Sequence, residues 1–236
     1  RLLTAQQFER ATKLILSLDF LRKQFTEKEI YYFGNTPVSI GMWVGASSTP
    51  NSFEDANKIY KNITQNITRS NGGQNADINK ANKFPIENCS WCGCKIISKN
   101  KFNFYEQGYH ATPNSFKIKC INDNCTFNSE LPIYFVDDKI YQSPPTLLFA
   151  TVDKFAMISH REEGNKLFNS LEKDKLPPDL IIQDELHLLS GPLGSITGIY
   201  ESIVELLSTK GNRKPKIIAS TATTRNTAHQ IEMLYG

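Results

Sequence analysis

Two groups of residues in this 236-residue chain have the types and spacing to do chemistry. The first is a carboxylate pair. Leu180-Ile181-Ile182-Gln183 runs into Asp184 and Glu185, with His187 two residues further on. Three apolar residues ending in two acids read as a buried strand that carries both carboxylates at its carboxyl end, the edge where open α/β sheets bind ligands. One acid there can hold Mg²⁺ through water while its neighbour orients or deprotonates an attacking water, chemistry that suits phosphoryl transfer. The plainer alternative is an Asp-Glu pair that caps the following helix in solvent. Lys216-Ile217-Ile218-Ala219 repeats the shape and ends in Ser220, Thr221, Ala222 and Thr223. Neighbouring strand ends would bring Thr221 and Thr223 near His187. A third strand end, Phe149-Ala150-Thr151-Val152-Asp153-Lys154, offers a hydroxyl and a lysine at a helix start, groups that contact nucleic-acid backbones. Taken alone, Thr151 reads as an N-cap.

The second group is sulfur. All five cysteines fall between residues 89 and 125, as Cys89-x₂-Cys92-Gly93-Cys94 and Cys120-x₄-Cys125. Cys-x₂-Cys-Gly puts two thiolates on one ion while the glycine permits the tight turn, and the second pair completes a tetrahedral set of four sulfurs that suits Zn²⁺. Cys94 is the odd one out, either a substitute for Cys92 or a free thiol. Unpaired core cysteines are the rival reading. Lys95, Lys99, Lys101, Lys117 and Lys119 outnumber Glu106 and Asp123 in this stretch, interleaved with Phe102, Phe104, Tyr105 and Tyr109. A nucleic-acid face is therefore conceivable. Four thiolates with one Zn²⁺ add two negative charges, so a structural staple for a segment too small to hold its own core is the stronger expectation.

These groups need elements to hold them. Residues 1–50 read as α/β: Thr4 to Gln7 has the form of a capping box, and Phe8, Ala11, Ile15, Leu18 and Leu21 follow at helical spacing. An apolar run over residues 38–44 reads as a buried strand. Residues 51–88 are Asn-rich and polar, expected as a linker or loosely held surface segment with a short helix near residues 55–67. Residues 89–140 form a small zinc-ribbon-like insertion with β-prone stretches at 102–105 and 115–121. Residues 141–236 return to alternating strand and helix, with strands at 146–150, 180–182 and 216–219, a helix capped by Ser195 and ending at Gly211, and a last helix through Ala228, Ile231 and Leu234. The whole predicts an α/β fold built on a doubly wound parallel sheet with helices on both faces.

Composition narrows the class. With 39% hydrophobic and 22% charged residues the chain can bury one good core, and collagen-like, disordered and coiled-coil classes are excluded. No apolar run approaches the roughly 18 residues of a membrane span, and the first residues carry no signal-peptide pattern. A cytoplasmic protein is expected. The formal charge of +3 is compatible with nucleic acid without proving it. Histidines 110, 160, 187 and 229 form no His-x-x-x-His pair, which argues against a histidine-based metallohydrolase.

The order of the segments Arg1 to Gln7, Ala150 to Lys154, Asp184 to His187 and Thr221 to Thr223 resembles motifs Ia, Ib, II and III of superfamily 2 helicases, with Asp-Glu-Leu-His marking the DExH branch. Ile40 to Gly45, Thr49 to Asn51 and the extension Leu188-Leu189-Ser190-Gly191-Pro192-Leu193-Gly194 sharpen this to the large bacterial helicases of DISARM anti-phage defence, the DrmA-like group. The resemblance implies a partial first RecA-like domain, interrupted between motifs Ia and Ib, whose parent moves along nucleic acid, DNA in the first instance, at the expense of ATP and Mg²⁺. Asp184 would help hold Mg²⁺, Glu185 would position the hydrolytic water, and His187, Thr221 and Thr223 would couple nucleotide state to nucleic-acid binding. Thr4, Gln7, Thr151 and Lys154 would face the strand backbone, and other subunits of the defence system would be partners. No G-x-x-x-x-G-K-[ST] loop occurs in the chain, and the second RecA-like domain is missing, so the chain alone is expected to be inactive. The alternative is a non-catalytic, zinc-dependent nucleic-acid-binding module.

Overall fold

The structure is a computed structural model that describes residues 2–156, 158, 162–169, 175–185 and 192–220. It divides into two compact units, Arg1–Thr151 and Val152–Gly236. In chain order the first contains helix α1 (Leu2–Glu27), strand β1 (Ile40–Trp43), helices α2 (Phe53–Asn71) and α3 (Ile78–Ala81), strands β2 (Ile97–Lys99), β3 (Tyr105–Gln107), β4 (Tyr109–Thr112), β5 (Ser115–Ile118) and β6 (Ile133–Tyr134), helix α4 (Asp137–Gln142) and strand β7 (Leu147–Ala150). The second contains helix α5 (Val152–Ala156), a 3-10 helix (Glu162–Phe168), strand β8 (Leu180–Gln183), helix α6 (Pro192–Ser208) and strand β9 (Lys216–Ala219).

In the first unit β1 is the centre of a parallel sheet of order β6-β1-β7. Every residue of β1 is buried, as the apolar run predicts. Gly41 is there because a Cβ would collide with the ring of Pro145 and crowd Leu148, so only glycine lets the segment entering β7 lie this close. Two antiparallel pairs, β2-β3 and β4-β5, build the cysteine-bearing region.

Helix α1 differs from its reading in two ways. It is already running at Leu2, so Thr4 lies inside the helix and does not cap it. Its buried stripe runs through Phe8, Thr12, Ile15, Leu16, Asp19 and Arg22, while Leu18 and Leu21 are exposed. The cause is a polar anchor. The Asp19 carboxylate, 1% exposed as a side chain, pairs with Arg22 Nε at 2.8 Å and Lys23 Nζ at 3.2 Å, and accepts the Val38 backbone N–H at 3.0 Å. Arg22 also donates to the Gly34 carbonyl at 2.8 Å. These bonds set the approach of the chain to β1 and turn the helix face with them.

Where a linker or loosely held segment with a short helix near residues 55–67 is expected, the helix α2 runs for 19 residues and packs into the core. Ser52 caps it by accepting the Asp55 N–H, Glu54 and Asp55 favour its positive end, and Phe53, Ala56, Ile63 and Ile67 are buried. Its Asn-rich surface disguises a regular apolar face at i, i+3, i+7 and i+4 steps. The Phe53 N–H donates to Asp138 at 2.8 Å, which ties its start to α4.

In the second unit β8 and β9 pair in parallel, from Leu180 opposite Lys216 to Gln183 opposite Ala219. The strands fall where the apolar runs place them. Their burial does not follow the expectation of a fully covered strand: Ile181 and Gln183 are half-buried, with Gln183 meeting α6, but Leu180 and Ile182 on the opposite face are exposed. Side chains alternate across a strand, so its two faces differ in exposure. Helix α6 starts at Pro192, so Ser195 sits in its first turn and is not its cap. Proline suits that first position, where its missing N–H has no intrahelical partner to lose. The expected last helix lies outside the described residues. The chain is a mixed α/β protein with short parallel pairing, and no described helix is long and apolar enough to cross a membrane.

Candidate metal centre and acid pair

The sulfur atoms of Cys89, Cys92, Cys120 and Cys125 all lie within 4.8 Å of one another. Two turns bring them together. In the first, Gly93 takes φ +77° and donates its N–H to the Cys89 carbonyl at 2.8 Å, while Cys89 N–H returns to the Cys94 carbonyl at 2.7 Å. In the second, Cys125 N–H donates to the Asn122 carbonyl at 2.9 Å, Asn122 N–H to Cys120 Sγ at 3.4 Å and Cys120 N–H to the Phe127 carbonyl at 3.0 Å. The pairs face each other with Cys89 and Cys125 sulfurs 3.9 Å apart and Cys92 and Cys120 sulfurs 3.5 Å apart.

Those separations fit a tetrahedral ion, since Zn–S bonds of about 2.3 Å put neighbouring sulfurs about 3.8 Å apart. All five cysteines are free thiols. Cys94 falls outside the group of four, its Sγ donating to the Lys95 carbonyl at 3.5 Å, and Cys92 is the sulfur that completes the set. Burial, and then the neighbouring sulfurs, push the Cys125 thiol up to about 11, and Cys120 is raised further by the same causes. For Cys92, burial is outweighed by the Cys94 N–H and by the neighbouring thiols, which hold it below the usual thiol range. Crowded thiols of this kind become four thiolates only beside a cation. Zn²⁺ would supply that charge and a fixed tetrahedral geometry.

The cysteines do not stand apart from the fold. Cys89, Cys120 and Cys125 are buried in the same hydrophobic cluster as Phe8, Leu16 and Ile40. Trp91, inside the first turn, stacks between Phe20 of α1 at 5.1 Å and Phe127 at 5.5 Å, and Lys23 of α1 lies 5.0 Å from the Phe127 ring. Trp91 and Phe127 were not singled out from sequence, although an aromatic inside Cys-x₂-Cys and another just after the last ligand were signals to be read.

The acid pair follows β8. The Ser220 N–H donates to the Gln183 carbonyl at 2.8 Å and carries the β8-β9 ladder up to Asp184. Asp184 is exposed and accepts the Glu185 N–H at 3.0 Å. Glu185 is half-buried with φ +57°, a left-handed conformation uncommon for a residue with a side chain. Beneath them Gln183 donates to Glu201 of α6 at 2.5 Å, and burial raises the Glu201 carboxyl above its ordinary range, offset in part by that bond. Gln7 is exposed on α1, Thr4 lies in the same helix, Thr151 follows β7 and donates its N–H to Trp43 at 3.3 Å, and Lys154 is buried on α5. His187, Thr221 and Thr223 lie outside the described residues.

Fold and site together define a mixed α/β protein with four clustered sulfurs that could hold a metal ion and an acid pair at the end of a parallel strand. No family model matches the chain. It is similar to the DISARM protein DrmA of Bacillus paralicheniformis, with 33% identity over 273 aligned residues that take in 100% of this chain. The chain spans 23% of the length of that relative.

Proposed function

We propose that this chain is the part of a DrmA-like defence protein that carries the catalytic carboxylates of an ATP-dependent nucleic-acid motor, within a first RecA-like domain into which residues 89–140 are inserted. The observation that carries the reading is the position of Asp184 and Glu185 just past the carboxyl end of a strand paired in parallel with its neighbour, in a chain similar from end to end to the DISARM protein DrmA. At that edge Asp184 would help hold Mg²⁺ and Glu185 would orient the attacking water. Mg²⁺ supplies charge neutralisation for the phosphates when bound. The left-handed backbone at Glu185 supports a functional reason for the conformation, because strain of this kind gathers at reacting sites. His187, Thr221 and Thr223 would couple the nucleotide to the nucleic acid, and Thr4, Gln7, Thr151 and Lys154 would border the strand. Zn²⁺ on Cys89, Cys92, Cys120 and Cys125 would be structural. DNA and other DISARM subunits are the proposed partners.

The test is ATP turnover by the longer protein containing this chain, with and without single-stranded DNA, beside Glu185→Gln. Turnover stimulated by DNA and reduced at least about a hundredfold in the variant is expected for loss of a water-orienting carboxylate. Turnover unchanged by the substitution would sink the motor reading. A second reading has its own observation: within the described residues the thiol cluster is the assembled site, which favours a non-catalytic zinc-dependent nucleic-acid module if no turnover is found.

A further inference from the structure

The hairpin formed by β2 and β3 ends in a tip that its own core does not explain. Phe102 is 69% exposed and Phe104 50% exposed. Such rings usually fold back when a turn is loose, but this turn is fixed. Asn100 accepts the Phe102 and Phe104 N–H groups on its side-chain oxygen at 3.0 and 3.1 Å, and its amide donates to Glu106 at 2.5 Å. The base of the hairpin is held as firmly. Asn71 at the end of α2 bonds both backbone groups of Tyr105, at 2.7 and 3.1 Å, and Gln107 donates to Thr64 of α2 at 2.8 Å.

Lysines outnumber carboxylates around the tip. Lys101 Nζ lies 5.1 Å from the Phe102 ring centre and Lys99 Nζ 5.1 Å from that of Tyr105. Residues 95–119 contain five lysines and one glutamate, Glu106, whose carboxylate already receives the Asn100 amide. Where β3 continues past the tip, Gln107, His110, Lys117 and Lys119 border an open cleft of about 410 Å³, with Lys117 also paired to Glu130 at 3.5 Å. A docking site for another protein would be apolar and poor in charge at its centre. Two exposed rings, Phe102 beneath an ammonium and Phe104 beside it, leading into a lysine-bordered cleft, match bases that stack and phosphates that follow.

We infer that the β2-β3 hairpin tip is a stacking platform for single-stranded nucleic acid, with Phe102 and Phe104 taking bases and Lys99, Lys101, Lys117 and Lys119 meeting the backbone. It gives the cysteine-stapled region a binding role beyond scaffolding, and it rests on the nucleic-acid half of the proposed function. Bases must be unstacked to use such rings, so a duplex is not the occupant.

The experiment is fluorescence anisotropy of labelled oligo-dT and oligo-U with the zinc-loaded chain, at several salt concentrations. Phe102→Ala/Phe104→Ala and Lys99→Ala/Lys101→Ala are compared with the parent, each checked for zinc content and circular dichroism. Because the turn is built by Asn100 and backbone groups, both variants are expected to fold. Loss of the rings should weaken binding about tenfold or more with the salt dependence kept, while loss of the lysines should flatten the salt dependence. Strand binding unaltered in both variants overturns the hairpin inference and leaves the motor reading standing. So does absence of binding by the zinc-loaded chain, since turnover of the longer protein tests the motor separately. A photocrosslink from bromouridine to the peptide holding residues 102–104 would place the strand directly.

Discussion

At the scale of single residues, the cysteines separate by the direction of one backbone turn. Gly93, left-handed at φ +77°, folds the chain so that the Cys92 sulfur meets Cys120 while the Cys94 thiol donates to the Lys95 carbonyl. Cys94→Ser is therefore expected to keep one Zn²⁺ per chain, and Cys89→Ser or Cys120→Ser to lose it, read by metal analysis after dialysis. Retention of stoichiometric zinc by the Cys89→Ser protein would show that the four sulfurs are not the ligand set. The four-sulfur site was legible in the spacing, because Cys-x₂-Cys-Gly and Cys-x₄-Cys can close on one ion only in a few ways. The spacing favours Cys92 but leaves Cys94, two residues further on, as a substitute, and the folded turn brings Cys92 to the other three sulfurs. Glu185 shows the same division. Its place after an apolar run was readable, whereas its left-handed backbone was not, because glutamate carries no preference for that region.

At the scale of elements, the strands marked by apolar runs were read well, the β-prone stretch 102–105 is mostly the turn between β2 and β3, and helix faces were read less well. Ile40–Trp43, Leu147–Ala150, Leu180–Gln183 and Lys216–Ala219 all coincide with short apolar runs. Helix α1 departs because its buried stripe contains Thr12, Asp19 and Arg22, polar residues that hydrophobic periodicity leaves out. Thr12 satisfies itself on the Phe8 carbonyl at 2.7 Å, and Asp19 finds two cations and a backbone N–H. A buried carboxylate so fully engaged is costly to remove from one side only. Asp19→Ala should leave Arg22 buried without its partner and release Val38 from the helix, destabilising the fold by about 3–5 kcal/mol. In a chain of this size that lowers Tm on the order of 10 °C, measurable by calorimetry. A change under about 2 °C would mean that the apolar contacts of Phe8, Ile15 and Leu16 set the helix by themselves. The reading of residues 51–88 placed a helix near 55–67 but missed its length and packing, for a related reason. Asparagine colours the composition of α2, but Phe53, Ala56, Ile63 and Ile67 are what fold it.

At the scale of the whole molecule, the question is whether the metal site staples a local loop or the first unit as a body. Cys89, Cys120 and Cys125 share one hydrophobic cluster with α1 and β1, and Trp91 and Phe127 press the two cysteine turns onto Phe20 and Lys23 of α1. Gly108 adds to this tie: it donates to the Ile96 carbonyl at 2.8 Å and accepts from Lys119 at 2.8 Å, with no room for a Cβ against the Lys119 carbonyl. Removing the ion leaves sulfurs that cannot all remain thiolates at close range, so the turns should part and take their aromatic contacts with them. The loss is then expected to reach α1 and β1, more than 40 residues away in sequence. Hydrogen exchange before and after a strong zinc chelator tests this. Protection should fall in residues 89–128 and also along α1 from Phe8 to Arg22 and in β1, and return on adding Zn²⁺. Loss confined to residues 89–128 would make the metal a local clip, with the β6-β1-β7 sheet and α1 stable by their own packing.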